Sequence, residues 1–233
     1  MLPAARFFPM GDQALIIEFG DRSDPALTSH IAALAQQLRE SRPIGVRDVV
    51  PAYTTLALHY DPCAVGSGTT PYEALVSSIE PWLKSQSGAA LRAGRLIEIP
   101  VCYGGALGED LPALAQRHDL SGAEVIAIHS AGRYRVALLG FVPGFAYLDG
   151  LDARLATPRR DTPRTQVPAG SVAIGGSQTG VYPLATPGGW HIIGRTPLRL
   201  FQPDAMPPCL LAAGDTVRFV SISEREFQAQ AAP

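Results

Sequence analysis

The stretch from Gly140 to Arg195 constrains the fold of this chain more than any other part. It contains 10 of the 23 glycines and 6 of the 21 prolines, and it also contains apolar segments with the composition of β-strands. Glycine permits positive φ and proline fixes φ at about −65°, so together they are typical of tight, pre-shaped turns. A flexible linker would lack the apolar segments. We therefore expect short strands joined by rigid turns, on which a binding site can be built.

The acidic and basic residues of this stretch, other than His191, are all arginine and aspartate. Arginine presents a planar fork that binds carboxylate or phosphate through two hydrogen bonds. A single arginine more often braces a loop or covers the surface. For the whole set we expect a cleft that binds an anion. The arginines are Arg154, Arg159, Arg160, Arg164 and Arg195.

Several mechanisms are disfavoured because their motifs are missing from the sequence. There is no GxxxxGK[ST] loop to hold nucleotide phosphates and no GxSxG nucleophile motif. The single lysine, Lys84, lies outside the stretch, which argues against Schiff-base chemistry. The five histidines lack HxH or HxxxH spacing and the three cysteines are scattered, so we expect no metal site. Substrate positioning and anion stabilisation remain, with one proton carrier.

The proton carrier that we predict is His191, in the segment PGGWHIIGR. Arg195 follows four residues later, so on a regular strand both side chains would lie on one face, although a bulge at Gly194 would change this. We predict that His191 and Arg195 are catalytic. The alternative for His191 is an interior histidine whose ring bonds to a backbone carbonyl.

Other residues of the stretch are predicted to bind the substrate or its anionic group. Glycine-rich turns would bring backbone N–H groups close to an oxyanion, and Gln, Tyr and Asp side chains would add donors or a carboxylate. Phe141, Phe145 and Trp190 would form an apolar wall. The predicted binding residues are Arg159, Arg164, Gln178, Tyr147, Asp149, Gly144, Gly188 and Gly189.

The first part of the chain predicts a small α+β domain over residues 1–90. Asp24 with Pro25 and Thr70 with Glu73 are helix N-terminal signals, and each precedes an apolar pattern of helical spacing. With four predicted strands the order becomes βαββαβ, the ferredoxin-like pattern. The segment Ser85–Gly94 is the predicted boundary, and the strand that follows it could belong to either domain. The predicted strands are Ala14–Phe19, Val46–Val50, Tyr53–Tyr60 and Arg95–Val101.

The second domain is predicted over residues 91–233. Two helices, Leu111–His118 and Ser121–Ser130, precede a series of short strands separated by Gly and Pro turns, ending in Thr216–Ile222. Such a series is typical of a sandwich or a closed barrel. The arginine-rich stretch lies entirely in this domain.

Length and charge limit the partners that this protein can have. The 233 residues suit two compact units, and the net charge of −2 gives no electrostatic footprint for nucleic acid or an anionic membrane. No run approaches the ~20 apolar residues of a membrane span, and the N-terminal segment lacks the features of a signal peptide. We expect a cytoplasmic protein with reduced thiols.

Ordered motifs along the chain resemble one known family. GFVPGFAYL, VPAGSVAIGG, QTGVYP and PGGWHIIGRTP closely resemble the B subunit of the bacterial ATP-dependent 5-oxoprolinase, and GDQALIIEFG, VPAYTTLALHYDP, IPVCYGG and GDTVRF fit as well. The family has also been labelled allophanate hydrolase subunit 1 and carboxyltransferase subdomain C/D. It includes KipI-like inhibitors of a sporulation histidine kinase.

The resemblance implies a cyclophilin-like antiparallel β-barrel for the second domain. It also implies an enzyme that opens the lactam of 5-oxo-L-proline to L-glutamate together with partner subunits of the C and A types, with ATP bound with or by those partners. The chain alone would be inactive. Two alternatives remain: a regulatory inhibitor of a histidine kinase, and the carboxyltransferase half of a urea carboxylase or allophanate hydrolase-type enzyme. The last would need a biotin carrier on another chain, since this one has no biotin attachment site.

Overall fold

The computed structural model describes residues 5–22, 24–66, 70–86 and 94–231. The chain divides into two compact units, Met1–Ala93 and Gly94–Pro233, here called the N-terminal and C-terminal units. Each unit has hydrophobic clusters of its own, with no member shared between them. The class is α+β, as predicted. Most of the predicted boundary segment Ser85–Gly94 lies outside the described residues.

The N-terminal unit contains a four-stranded antiparallel sheet with two helices. The sheet has the order β1-β2-β4-β3 and consists of β1 (Arg6–Met10), β2 (Ala14–Glu18), β3 (Val46–Ala52) and β4 (Thr55–Tyr60). The helices are α1 (Pro25–Ser41) and α2 (Pro71–Ser85). Apolar side chains of β2 and β4 pack against those of both helices.

Both helices begin where the sequence indicates. The Asp24 carboxylate accepts the N–H groups of Ala26 and Leu27 at 2.8 and 2.9 Å and so satisfies the first turn of α1. Thr70 and Glu73 form the predicted capping box of α2. Pro81 lies inside α2, which continues past it to Ser85.

The strand order of the N-terminal unit corrects the predicted βαββαβ pattern. Its fourth strand is β1, not the strand after Ser85, so the order of elements is ββαββα. No sequence pattern indicated β1, because this edge strand contains Pro9 and is largely exposed, without alternating burial. The strand predicted at Arg95–Val101 belongs to the C-terminal unit, where Ile99 and Val101 are fully buried.

The C-terminal unit is built on a closed seven-stranded barrel. Its strands are β5 (Leu96–Tyr103), β6 (Tyr134–Leu139), β7 (Ala146–Asp149), β9 (Ser171–Gly175), β10 (Gln178–Val181), β12 (His191–Arg195) and β13 (Thr216–Ser221). They follow the order β10-β7-β6-β13-β5-β12-β9. All pairs are antiparallel except β5 with β13, which are parallel. The barrel is thus mainly, but not wholly, antiparallel.

Smaller elements surround the barrel. A two-stranded sheet consists of β8 (Arg164–Val167) and β11 (Thr186–Gly188). The helices of this unit are α3 (Leu111–Arg117), α4 (Gly122–Ala131) and α5 (Glu224–Gln230). None of the helices in the described parts of the chain has the length and apolar character that crossing a membrane requires.

One histidine is part of the barrel core. His129 of α4 is completely buried, with Nδ1 2.7 Å from the Tyr103 hydroxyl and Nε2 2.9 Å from Thr179 Oγ1. Its ring stacks on Phe219 at 4.6 Å between centroids. Burial lowers the pKa of His129 to about 3. The ring is therefore neutral at physiological pH.

Candidate functional site

The stretch Gly140–Arg195 forms a pocket of about 270 Å³ on the outer side of the barrel wall. Tyr147 lines it, whereas its neighbour Leu148 belongs to the interior cluster, because successive side chains of a strand alternate. We call it the aromatic–arginine pocket. Its lining consists of Phe141, Phe145, Tyr147, Tyr182 and Trp190 with Arg159, Arg160, Pro163, Pro187, Gly188 and Gly189.

Trp190 forms the floor of this pocket. Its indole lies over Gly175 and Gly180, where an added Cβ would come within 2.6 and 3.1 Å of the ring. Neighbouring Phe145 and Tyr147 meet the indole edge-on, at centroid distances of 5.6 and 6.0 Å. The two glycines of the barrel wall thus make room for the indole, which packs against them and leaves Trp190 only 5% exposed.

Phe141 stands at the rim in an unusual conformation. Its φ is 70°, and the Val142 N–H donates to the Gly140 carbonyl at 2.9 Å across it. This is the rarer, strained form of the γ-turn. The side chain is 60% exposed and contacts Phe145 edge-on at 5.6 Å. Such a conformation persists in a non-glycine residue only when the surrounding structure enforces it.

Two arginines, Arg159 and Arg160, line the pocket, and Arg164 lies next to Arg160 on the shared Asp110 carboxylate. Arg159 places its guanidinium carbon 5.9 Å from the centroid of the Trp190 ring and makes no hydrogen bond or ion pair with any described residue. Arg160 and Arg164 both donate to one carboxylate oxygen of Asp110, at 3.0 and 2.9 Å. The two guanidiniums therefore converge on a single point, close to the pocket wall.

Asp110 holds this arrangement together. It is only 7% exposed, and its second oxygen accepts the Ile192 N–H at 2.7 Å. Burial alone would raise the pKa of Asp110, but the hydrogen bonds from Arg164 and Ile192 and the charges of both arginines hold it below its ordinary value. A second carboxylate, Glu109, pairs with Arg164 at 3.0 Å. Asp110 thus fixes two arginines to the barrel strand β12.

Two guanidinium nitrogens of this cluster have no hydrogen-bond partner among the described residues. Arg160 Nε and Arg164 Nη1 are buried and make no hydrogen bond to any described residue. Leaving a buried donor unpaired is costly, so the cluster has hydrogen-bonding capacity that no described residue uses. The field of the cluster also reaches the pocket: burial raises the pKa of Tyr182, and the charges of Arg159 and Arg164 oppose that rise.

His191 lies beside the pocket without lining it. Its Nε2 is 2.9 Å from the Pro158 carbonyl, so Nε2 carries the proton and donates. The Pro158 carbonyl is a backbone partner, as the interpretation of His191 as an interior histidine predicts. Because Pro158 precedes Arg159, the imidazole anchors the segment that presents Arg159 to Trp190.

A β-bulge separates His191 from Arg195. On β9 the partner of His191 is Ile174 and the partner of Arg195 is Ser171, with a register shift between Ile192 and Gly194. Residues 171 and 174 point to opposite faces of their strand, so His191 and Arg195 do as well. The same-face arrangement of a regular strand does not hold, and the bulge is the reason.

Arg195 lies outside the aromatic–arginine pocket. Its side chain packs along Gly170, where an added Cβ would lie 3.3 Å from Arg195 Cγ. The guanidinium makes no hydrogen bond or ion pair within the described ranges, and burial lowers the pKa of Arg195. Arg195 is thus a half-buried cation with no counter-charge in the part of the chain that the structure describes.

The remaining predicted residues fall into two groups. Gln178 donates to Asp149 at 2.7 Å, and both lie on the strand face that also carries Tyr147. The glycines serve packing: Gly188 lies against the Tyr182 hydroxyl and Gly144, with φ 82°, against Phe201. Gly189 differs, since its carbonyl accepts the Arg160 N–H at 2.8 Å.

The chain is similar in sequence to known proteins. Residues 5–211 match the family model described as the carboxyltransferase domain, subdomain C and D. The chain belongs to this family. Among its curated relatives, the 5-oxoprolinase B subunit of Bacillus subtilis (strain 168) is 44% identical over 225 residues, 94% of each chain. The 5-oxoprolinase B subunit of Escherichia coli O157:H7 is 42% identical over 223 residues, 94% of this chain and 97% of the relative.

A solved structure extends the comparison. The crystal structure of TTHA0988 shares 38% sequence identity with a TM-score of 0.76. The match covers 91% of this chain but 40% of that longer chain. The same fold is therefore found joined to a further protein segment in a relative.

Sequence reasoning missed Asp110 and left Arg160 out of the predicted binding residues. Asp110 is 50 residues before Arg160 in the chain and directly precedes α3, where an aspartate is ordinarily interpreted as a helix cap. In fact its side chain makes no capping hydrogen bond and turns to the arginines instead. No group of three His, Cys, Asp or Glu side chains suited to a metal ion occurs among the residues that the structure describes.

Proposed function

We propose that this chain is the B subunit of an ATP-dependent 5-oxoprolinase, which opens the lactam of 5-oxo-L-proline to L-glutamate. The observation that carries this proposal is the 44% identity with the Bacillus subtilis 5-oxoprolinase B subunit over 94% of both chains. The pocket supports it, since aromatic walls beside a cationic end suit a small ring that carries a carboxylate.

The reaction adds water across the lactam C–N bond, which leaves a carboxylate on carbon and an amine on nitrogen. A lactam carbonyl is a poor electrophile, so ATP, held with or by the partner subunits, would activate its oxygen by phosphorylation. This chain then has to bind and orient the ring, exclude water from its far side and stabilise negative charge. Partner subunits of the C and A types would complete the active site.

Within this scheme we propose separate roles for the predicted residues. Arg159 contacts the anionic group of the substrate. His191 acts as the proton carrier through Nδ1, while its Nε2–H keeps the Pro158 carbonyl in place. Gln178 and Asp149, already bonded to each other, orient the ring edge beside Tyr147. Because Arg195 lies outside the pocket and its half-buried guanidinium has no counter-charge in the described residues, its proposed role is to hold a phosphate group and not the substrate carboxylate.

Reconstitution tests the proposed function. The purified chain alone should show negligible ATP hydrolysis with 5-oxoproline, and adding the partner subunits should produce ADP, phosphate and glutamate in equal amounts. Omitting 5-oxoproline is the control for uncoupled ATP hydrolysis. Full activity of the partner subunits without this chain would refute the proposal, and robust turnover by the chain alone would refute the division of the site between subunits.

A further inference from the structure

The cationic end of the aromatic–arginine pocket has an unbalanced charge. Arg159, Arg160 and Arg164 contribute three positive charges, and Asp110 and Glu109 contribute two negative ones through the ion pairs already described. Asp161, which follows Arg160, is exposed and makes no ion pair in the described ranges. The cluster therefore retains one net positive charge, which matches a ligand with one negative charge.

Some N–H donors of this cluster also make no hydrogen bond to a described residue. Arg159 has no acceptor among the described residues and lies over the pocket floor, and the buried Arg160 Nε and Arg164 Nη1 are unpaired. Arg159 and Arg160 line the pocket, and the side chains of Arg160 and Arg164 keep 34% and 18% of their surfaces exposed, so the cluster is not sealed in the core. The guanidinium of Arg159, which has no acceptor among the described residues, presents a fork of donors suited to a carboxylate.

We infer that Arg159, Arg160 and Arg164 form a receptor for the single carboxylate of a small cyclic substrate, with Asp110 as the positioning residue. The inference rests on the proposed function for the identity of that substrate. Asp110 holds Arg160 and Arg164 against β12 and does not contact the ligand. The receptor is thus built before the ligand arrives, which lowers the entropic cost of binding.

The receptor fixes the orientation of the bound ring. With the carboxylate at the arginines, the ring lies against the more accessible aromatic lining, Tyr147 and the rim residue Phe141. The reacting carbonyl is then directed away from this chain's cations, toward the open side of the pocket. Selectivity follows: a ring with a carboxylate binds, and a neutral lactam of the same size does not.

Ligand-observed NMR with the purified full chain tests this receptor. The probes are 5-oxo-L-proline, cyclopentanecarboxylate, which lacks the lactam, 2-pyrrolidinone, which lacks the carboxylate, and inorganic phosphate. Both carboxylates should bind at millimolar concentration, and 2-pyrrolidinone should bind at least about tenfold more weakly. Equal binding of 2-pyrrolidinone, stronger binding of phosphate, or no binding of either carboxylate would overturn the inference.

Variants locate the receptor. R159Q should weaken binding of both carboxylates at least about tenfold and leave 2-pyrrolidinone unchanged. R154Q is the matched control, because Arg154 lies in the same stretch but pairs with Asp152 at 64% side-chain exposure. D110N should weaken carboxylate binding in the same way if it folds, and if it does not, R159Q decides. Unchanged binding by R159Q would overturn the assignment.

The same variants separate this inference from the proposed function. A reconstituted complex with R159Q that hydrolyses 5-oxoproline with an unchanged KM would refute the receptor and leave the enzyme assignment intact. Conversely, a chain that binds both carboxylates through Arg159, yet supports no 5-oxoproline hydrolysis with its partner subunits, would refute the proposed function and leave the receptor standing.

Discussion

His129 is a titratable group in the centre of a barrel, surrounded by the Tyr103 and Thr179 hydroxyls and the Tyr134 and Phe219 rings. Two hydroxyl partners satisfy the neutral imidazole, but no carboxylate bonds to it among the described residues. Protonating the ring would therefore place an unpaired charge in the core, and this is why the pKa of His129 falls to about 3 when the chain folds.

We predict that acid destabilises the protein through His129. The folded pKa of about 3 lies below the ordinary value of 6.5, so between these values the unfolded chain binds one more proton than the folded chain. The free energy of unfolding should fall as pH decreases below 6.5, by up to about 1.4 kcal/mol per pH unit from this group. Urea denaturation between pH 7 and pH 5 measures the slope.

The matched variants are H129Q and H59Q. H129Q removes the titrating ring and should flatten the pH dependence in this range, whereas H59Q, at an exposed histidine of β4, should keep it. Parallel slopes for wild type and H129Q would show that other groups govern the acid response.

The sequence indicated the kind of site but not the ion pairs and hydrogen bonds that connect its residues. Arginines among glycines and prolines predicted an anion cleft, and Arg159 and Arg160 do line a pocket. The buried carboxylate that orders two of the arginines could not be found, since Asp110 is brought to Arg160 and to Ile192 only by barrel closure. Gly194 alone suggested a bulge at this position. That the bulge turns Arg195 to the face opposite His191 follows only from the strand register.

Among the helices and strands, sequence signals predicted the structure correctly where all residues of the signal lie close together in the chain. Capping boxes form at Thr70 and at Ser121, where the predicted helices begin, because the residues of each box lie within one turn of each other. The strands were harder. The strand β1 has no alternating burial to reveal it, and β5 pairs with β13 from more than a hundred residues away, so its membership of the barrel depends on long-range contacts.

At the Phe141 turn, the backbone adopts a conformation that the residue type disfavours. A bulky residue at φ 70° is unfavourable, and its ring gains little from burial because 60% of it is exposed. Strain of this kind is concentrated at functional sites. The position of Phe141 on the pocket rim fits that pattern.

We expect F141G to stabilise the turn relative to F141A by about 1 kcal/mol in the free energy of unfolding. Both variants lose the ring, but alanine keeps the Cβ that disfavours positive φ, so their difference isolates backbone strain. Chemical denaturation of the two variants measures it. Equal free energies of unfolding for the two variants would mean that the turn is not strained. Both variants should also bind 5-oxoproline more weakly than wild type if the Phe141 ring contributes to the pocket.

In the whole molecule, the residues of the proposed site all belong to the C-terminal unit. Every residue of the aromatic–arginine pocket, together with Asp110 and Glu109, lies in Gly94–Pro233. That unit has a closed barrel with its own core, whereas the N-terminal unit has a separate core between its sheet and helices. A unit with a complete core and no missing sheet partner can fold independently.

We therefore predict that residues 94–233, expressed alone, fold cooperatively and keep the binding site. A single unfolding transition with a native pattern of amide NMR signals is expected, and the affinity for 5-oxo-L-proline should match that of the full chain, because no pocket residue is lost. The R159Q variant of the fragment controls for binding elsewhere on its surface. A fragment that folds but binds at least tenfold more weakly would place part of the site in the N-terminal unit. A fragment that does not fold would show that the barrel depends on residues 1–93.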